Sequence, residues 1–345
     1  MFTYKQKFER KIKMNYKNIN LDKNMYAHPT KSFSEILEEL DPSVEYAGTE
    51  LEGLDAFQRQ LKRFDIRVAG AGSDSVQKFF AATNSSALFP EYVTRAVKQG
   101  MDMNNCVTSV VAATTVVPTM DYRTMVTSPL SINSEGIAEG GNIPKSTVKT
   151  QNNLVEMKKH GSLLVSSYEA LKFQRIDLLS VTLRQIGANI ARQQIKDAVD
   201  VIINGDGNDN PAEVVSAAGA MLTYADVIEL WNALDPYNMN RIIVSNDVMT
   251  RLLAIEEFKN PLTGLNFQGT GELTAPLGAK LIRSSAIPGG TFIGLDKNCA
   301  LELVKTGDVT VEYDKLIDRQ LERAAITSIT GFAKVFEGAS KVLSV

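Results

Sequence analysis

Between about Ala170 and Asn204 the chain contains no proline, and Gly187 alone interrupts a run of helix-forming residues. Within that run Leu179, Leu183, Ile186, Ile190, Ile195, Val199 and Ile202 recur at three-to-four spacing, the pattern of a single buried stripe. Arg184, Arg192, Gln193 and Lys196 occupy the other side. A helix over 170–204 would be roughly 50 Å long. A chain of 345 residues must build its fold around such a spine. The stripe stops at Asn204-Gly205-Asp206-Gly207, which reads as a helix C-cap and turn.

Shorter elements surround the spine. Ser32-Phe33-Ser34-Glu35 has the form of a capping box, predicting a helix from Phe33 to Leu40. Leu51, Leu54, Gln58, Leu61 and Phe64 continue at helical spacing. Pro90 and Gly100 bracket a predicted helix from Pro90 to Gln99. A β-rich stretch follows, Val107 to Val111 and Thr114 to Val117. From Thr119 to Asn153 the chain turns polar, with Pro129, Gly136, Gly140, Gly141 and Pro144, and residues 147–151 alternate like the return strand of a long hairpin. So long and polar a hairpin cannot bury itself, and is expected to lie on another molecule or stay disordered. After the spine, Thr223 with Asp226 opens a helix to Leu234, Arg241 to Ser245 reads as a strand, and Asp247 to Glu257 as a helix. Leu277 to Arg283, Thr291 to Leu295, Val309 to Tyr313 and Ile326 to Phe336 read as strands, making the class α+β.

Chemistry is scarce. Two cysteines, Cys106 and Cys299, and two histidines, His28 and His160, leave no disulfide framework, zinc set or nucleophile motif. The cysteines, beside apolar residues in predicted strands, read as packed thiols, and His160 beside Gly161 falls in a predicted turn. No glycine-rich stretch ends in Gly-Lys-Ser/Thr, and Gly269-Thr270-Gly271 lacks a third glycine. Asp206-Gly207-Asn208-Asp209-Asn210 resembles the start of a calcium loop, but Pro211 stands at the required glycine and Ala217 at the required glutamate. The acid pairs Glu38-Glu39 and Glu256-Glu257 read as solvated helix surface. No catalytic, cofactor or metal residue is therefore assigned.

The balance of 37 Lys+Arg against 40 Asp+Glu, net -3, argues against a dedicated nucleic-acid binder. It conceals a basic front, with eight Lys/Arg against two acids over residues 1–31, then eight acids against Arg59 alone over 32–59. This is expected to be a solvated, partly disordered arm followed by an acidic helix, or an arm that touches an acidic partner. No signal peptide or membrane span is expected, because the front turns basic and the longest apolar run, 106–120, is broken by polar residues and Pro118.

The spine ending in Ile202-Ile203-Asn204-Gly205-Asp206-Gly207 resembles the long-helix ending of tailed-bacteriophage major capsid proteins of the Hong Kong 97 fold. Residues 138–146 (Ala-Glu-Gly-Gly-Asn-Ile-Pro-Lys-Ser) are similar to the returning part of that family's extended loop, and residues 164–171 to its lead into the spine. Residues 277–282 with 286–290 resemble its axial-domain strand–turn–strand, and residues 331–339 its final strand and turn. The fragments keep the family's order over about Cys106 to Val342.

The resemblance implies an α+β Hong Kong 97-like capsid fold. Its parts would be an N-terminal arm and extension (1–105), an extended β-hairpin loop (119–153), a peripheral domain on the spine helix (106–118, 154–210 and 309–345) and an axial domain (211–308). It implies a major capsid protein without enzymatic activity or cofactor, self-assembling through hexameric and pentameric capsomers into an icosahedral shell around double-stranded DNA touched without specificity. Scaffold, portal and decoration proteins would be further partners, and no membrane. Its place would be the virion capsid, after synthesis in the bacterial host cytoplasm. Glycines 136, 140, 141 and 187 are where flexing between different capsomer positions is expected. In the founding family member a loop lysine is joined to a neighbour's asparagine. Lys145 and Lys149 lie on the hairpin here, but no matching asparagine and glutamate stand out, so no crosslink is expected. Two alternatives compete: an encapsulin-like compartment shell of a cell, with the same fold, and an unrelated soluble hydrolase with a site around Gly269 to Glu272.

Overall fold

The structure is a computed structural model and describes residues 16–28, 31–103, 106–127, 139, 148–217, 219, 221–259, 276–285 and 287–344. In chain order it begins with helices α1 (Phe33–Leu40), α2 (Ala56–Arg63), α3 (Thr83–Ser86) and α4 (Leu88–Met103). Strands β1 (Val111–Val116), β2 (Met125–Thr127), β3 (Val148–Thr150) and β4 (Met157–Ser167) follow, then α5 (Tyr168–Phe173) and the long α6 (Ile176–Asn204). Next come β5 (Glu213–Ser216), α7 (Tyr224–Ala233), β6 (Arg241–Val244), α8 (Asn246–Ala254) and α9 (Glu256–Lys259). The chain closes with β7 (Lys280–Arg283), β8 (Thr291–Leu295), β9 (Leu301–Lys305), β10 (Thr310–Leu316), β11 (Leu321–Lys334) and β12 (Ser340–Ser344). Among the described residues no helix is long and apolar enough to cross a membrane.

Two compact units result, and the boundary on α6 falls after Gly187. The first comprises Met1–Gly100, Gly161–Gly187 and Val309–Thr327. Its helices start where the sequence supplies caps: Ser32 and Asp55 each accept from the third helical N–H, and Glu35 and Gln58 close the reciprocal bond. Phe33, Leu37, Phe57, Phe79, Leu88, Phe89, Ile176, Leu179 and Leu183 are buried here. Phe79 and Phe89 meet edge-on at 5.5 Å, a geometry aromatic quadrupoles favour. The expected arm thus holds a packed core over much of 33–100. The acidic run is used internally: Glu38 accepts the N–H groups of Ser43 and Ala56, and Asp55 both caps α2 and pairs with Arg95 at 2.5 Å. Burial pushes the Glu38 carboxyl up, but those donors and Arg59 outweigh it and hold it below its usual value. Its reading as plain solvated surface is corrected accordingly. In the same unit β10 pairs antiparallel with β11, from Thr310 opposite Thr327 to Leu316 opposite Leu321.

The second unit comprises Met101–His160, Ala188–Asp308 and Ser328–Val345. A mixed sheet runs in the order β5-β12-β8-β6-β7. Alternation places Ile242, Val244 and Phe292 against α7 and α8 on one face, with Val227, Leu230, Val248 and Leu252. Ile243, Ile293 and Leu295 face the other way, onto Ile195, Val199 and Ile202 of α6. The central strand β8 is therefore buried along its whole length. A second ladder in this unit pairs β1 with β9 parallel and β9 with β11 antiparallel.

Several expectations need correction. The spine is shorter than 170–204. α6 has 29 residues, roughly 44 Å at helical rise. α5 is separate because Gln174 and Arg175 leave the helix to pair with another segment, Val76 N–H donating to Gln174 O at 3.0 Å and Ile176 N–H to Asp74 O at 2.9 Å. Gly100 does not end a helix. It lies inside α4, where a Cβ would sit 2.1 Å from Arg184 O, so the glycine permits two helix backbones to touch. Gly161 makes no turn: with His160 it lies within β4, where a Cβ would sit 2.3 Å from Ile326 O. Residues 107–109 form a 3-10 turn, and the strand begins only at Val111. Cys106 and Cys299 lie outside strands, and burial raises both thiols, leaving them poor nucleophiles. The segment 267–271, Lys145, residues 1–15 and glycines 136, 140 and 141 lie outside the described residues.

Candidate assembly surface

The predicted hairpin is present at its base. β2 and β3 pair antiparallel, Met125 opposite Thr150, Val126 opposite Lys149 and Thr127 opposite Val148. Partners directly opposite share a face, so Met125, Val148 and Thr150 lie on one side and Val126 and Lys149 on the other. Met125 is 64% exposed and Val148 61%. A two-stranded ribbon of this size is at best marginal alone, so its stability must come from how it is rooted and from what its exposed face meets.

It is rooted firmly. Glu302 on β9, only 7% exposed, takes three hydroxyls: Tyr122 Oη at 2.8 Å, Thr124 Oγ1 at 2.5 Å, and Thr115 Oγ1. Burial, together with the Glu302 carboxylate, raises the Tyr122 hydroxyl above its ordinary pKa and keeps it a donor. The returning leg answers through the backbone, Gln151 N–H to Thr124 O and Val155 N–H to Tyr122 O, both 2.9 Å. Val117, Val155, Val304 and Ala333 fill the space beneath. Asn153 then bonds to the turn that ends α6, its N–H to Asn208 Oδ1 at 3.0 Å and its amide to Gly207 O at 2.5 Å.

In that turn the side-chain oxygens of Asp206 and Asn210 accept hydrogen bonds from within the fold. Asp206 Oδ1 accepts from Asn208, Oδ2 from the Lys334 N–H at 2.9 Å, and Lys334 Nζ donates to Asn210 O at 2.8 Å. Burial pulls the Lys334 amine down to about 8. His160 meets Asp197 on α6, beside Lys158, which reaches Asp200 at 3.4 Å. These contacts join elements within the fold, and His160 is engaged there by Asp197. No group of three metal-capable side chains gathers among the described residues.

Apolar side chains also stand exposed elsewhere. In the first unit Leu178 and Val181 are neighbours on α6 at 60% and 48% exposure, and Leu163 and Val165 share one side of β4. In the second unit Ile228 and Trp231 lie three apart on the outer side of α7, and Val214 is exposed on the edge strand β5. Paired exposure of this kind on regular elements marks contact surface more than scattered single residues do. Sequence spacing reveals the stripe of α6 but not these residues, which periodicity alone assigns to no face.

Residues 150–333, just over half of the chain, match the family model for phage capsid proteins. No curated protein sequence matches. Among solved structures, a chain of a virus-like particle from Pyrococcus furiosus superposes with a TM-score of 0.51 at 11% identity, over 74% of this chain and 99% of that one. A chain from Microbacterium phage Oxtober96 superposes with a TM-score of 0.51 at 12% identity, over 70% of this chain and 91% of that one. At such identities the likeness is one of fold.

Proposed function

The chain belongs to the phage capsid protein family and has the Hong Kong 97-like capsid fold, and from that premise we propose how it builds its shell. It is a phage major capsid protein, a structural protein whose copies assemble with one another. We assign residues 119–153 to an extended loop laid on a neighbouring subunit, 106–118, 154–210 and 309–345 to a peripheral domain, 211–308 to an axial domain, and 1–105 to the arm and extension. Hexameric and pentameric capsomers, rings closed by repeated heterologous contacts, build an icosahedral shell. The shell encloses double-stranded DNA of a tailed phage, held by non-specific contact, with scaffold, portal and decoration proteins as further partners. Subunits are made in the host cytoplasm and end in the virion capsid. The chain performs no catalysis. The family match favours this reading over a cellular compartment shell.

The observation that carries the proposal is the rooted ribbon with its apolar face open: a structure that costs stability in a lone subunit and gains it against a second copy. Deleting Ser131 to Thr147 is expected to leave a folded, soluble subunit that no longer assembles, measured by circular dichroism and sedimentation. Loss of folding would show that the loop serves the subunit's own core.

A further inference from the structure

We propose that Glu302 is the positioning residue of the ribbon, fixing the direction in which β2 and β3 leave the sheet and so selecting one uniform shell; this rests on the assembly reading above. Tyr122 and Thr124 alternate along the outgoing leg, so both side chains fall on one side of an extended segment. Each does two things at once. Its hydroxyl reaches Glu302, and its carbonyl accepts an N–H of the returning leg, from Val155 or Gln151. Thr115 brings β1 to the same carboxylate. One acceptor-only group thus ties two strands of the sheet to the outgoing leg, whose carbonyls in turn hold the returning leg.

Direction is the point. The apolar contacts of Val117, Val155, Val304 and Ala333 beneath the legs hold them down but are non-directional. A carboxylate accepting several hydroxyls is strong and angular, and it is 7% exposed, so water cannot readily replace a lost donor. The described ladder beyond it has only three pairs. A small pivot at the root would be magnified along the loop, and a loop that lands differently on each neighbour gives shells of mixed curvature.

The test combines amide hydrogen exchange on the full-length subunit with particle imaging of the same preparations. In the wild type, the amides of Gln151 and Val155 are expected to be protected to within about tenfold of Val117, whose N–H donates to Lys305 O. Glu302→Gln and Thr124→Val are expected to speed exchange at Gln151 and Val155 about tenfold or more, leaving Val117 unchanged, while uniform shells give way to mixed sizes and open sheets. Thr124→Ser keeps the hydroxyl and restores both readouts. If Glu302→Gln does not fold, Thr124→Val and Thr115→Val, each removing one donor, carry the same test. Unchanged exchange and uniform shells in the variants overturn the inference, as does an unprotected Gln151 or Val155 in the wild type. A wild type that forms no shells overturns the assembly reading instead, and the exchange arm still decides the role of Glu302 at the root.

Discussion

Arg59 has no exposed side-chain surface, and its guanidinium meets Asp41 at 2.5 Å, Ser43 Oγ at 3.0 Å and the Tyr46 ring at 4.2 Å. As the one base within the acidic stretch it could have been a surface charge. Burial turns it into the centre of the first unit's polar core, where each partner satisfies the other. Asp41→Asn is expected to destabilise the subunit by about 3–5 kcal/mol in urea unfolding, because a buried guanidinium loses its close partner and keeps only the Glu38 carboxylate at 3.9 Å. A cost under about 1 kcal/mol would mean that the pair is open to water. Lys334 makes a different prediction. Its folded pKa of about 8 lies below the ordinary 10.5, so between those values the unfolded chain holds more protons and wild-type stability rises with pH. Relative to Lys334→Met, the wild type should gain on the order of 3 kcal/mol over that window and nothing below it. A flat difference would show that the amine is hydrated.

At the scale of elements, local signals succeed where an element needs only itself and fail where a distant backbone decides. The capping boxes at Ser32 and Thr223 start helices one residue later, as the sequence predicts. The stripe from Leu179 to Ile202 does form one helix. The break at Gln174 and Arg175 was not legible, because it comes from pairing with residues 74–76, about a hundred positions away. Gly100 and Gly161 were misread for the same reason: each glycine answers a backbone distant in sequence, Arg184 and Ile326 respectively, not its own turn. That gives a sharp test. Glycine to alanine inside an ordinary helix stabilises by about 1 kcal/mol. Gly100→Ala is expected instead to destabilise by about 2 kcal/mol or more, since backbone atoms must move apart. Thermal unfolding decides between the two signs, and a raised midpoint would contradict the close approach.

For the whole molecule, the scarcity of histidine and cysteine and the near-zero net charge agree with a structural protein of the phage capsid family. The class of fold and the base of the hairpin were legible because their strands alternate in sequence. The root of the hairpin was not, since Glu302, Thr115, Tyr122 and Thr124 are spread over almost two hundred positions and look locally like ordinary strand residues. Nor were the exposed pairs Leu178 with Val181 and Ile228 with Trp231, which single-sequence periodicity cannot separate from core. In the proposed shell these surfaces would be covered by other copies. Electron microscopy of the purified protein at high concentration therefore tests the central claim most directly. Closed shells built from rings of six and five subunits are the expected result; compact particles that remain strictly monomeric, with no rings or shells, would contradict it.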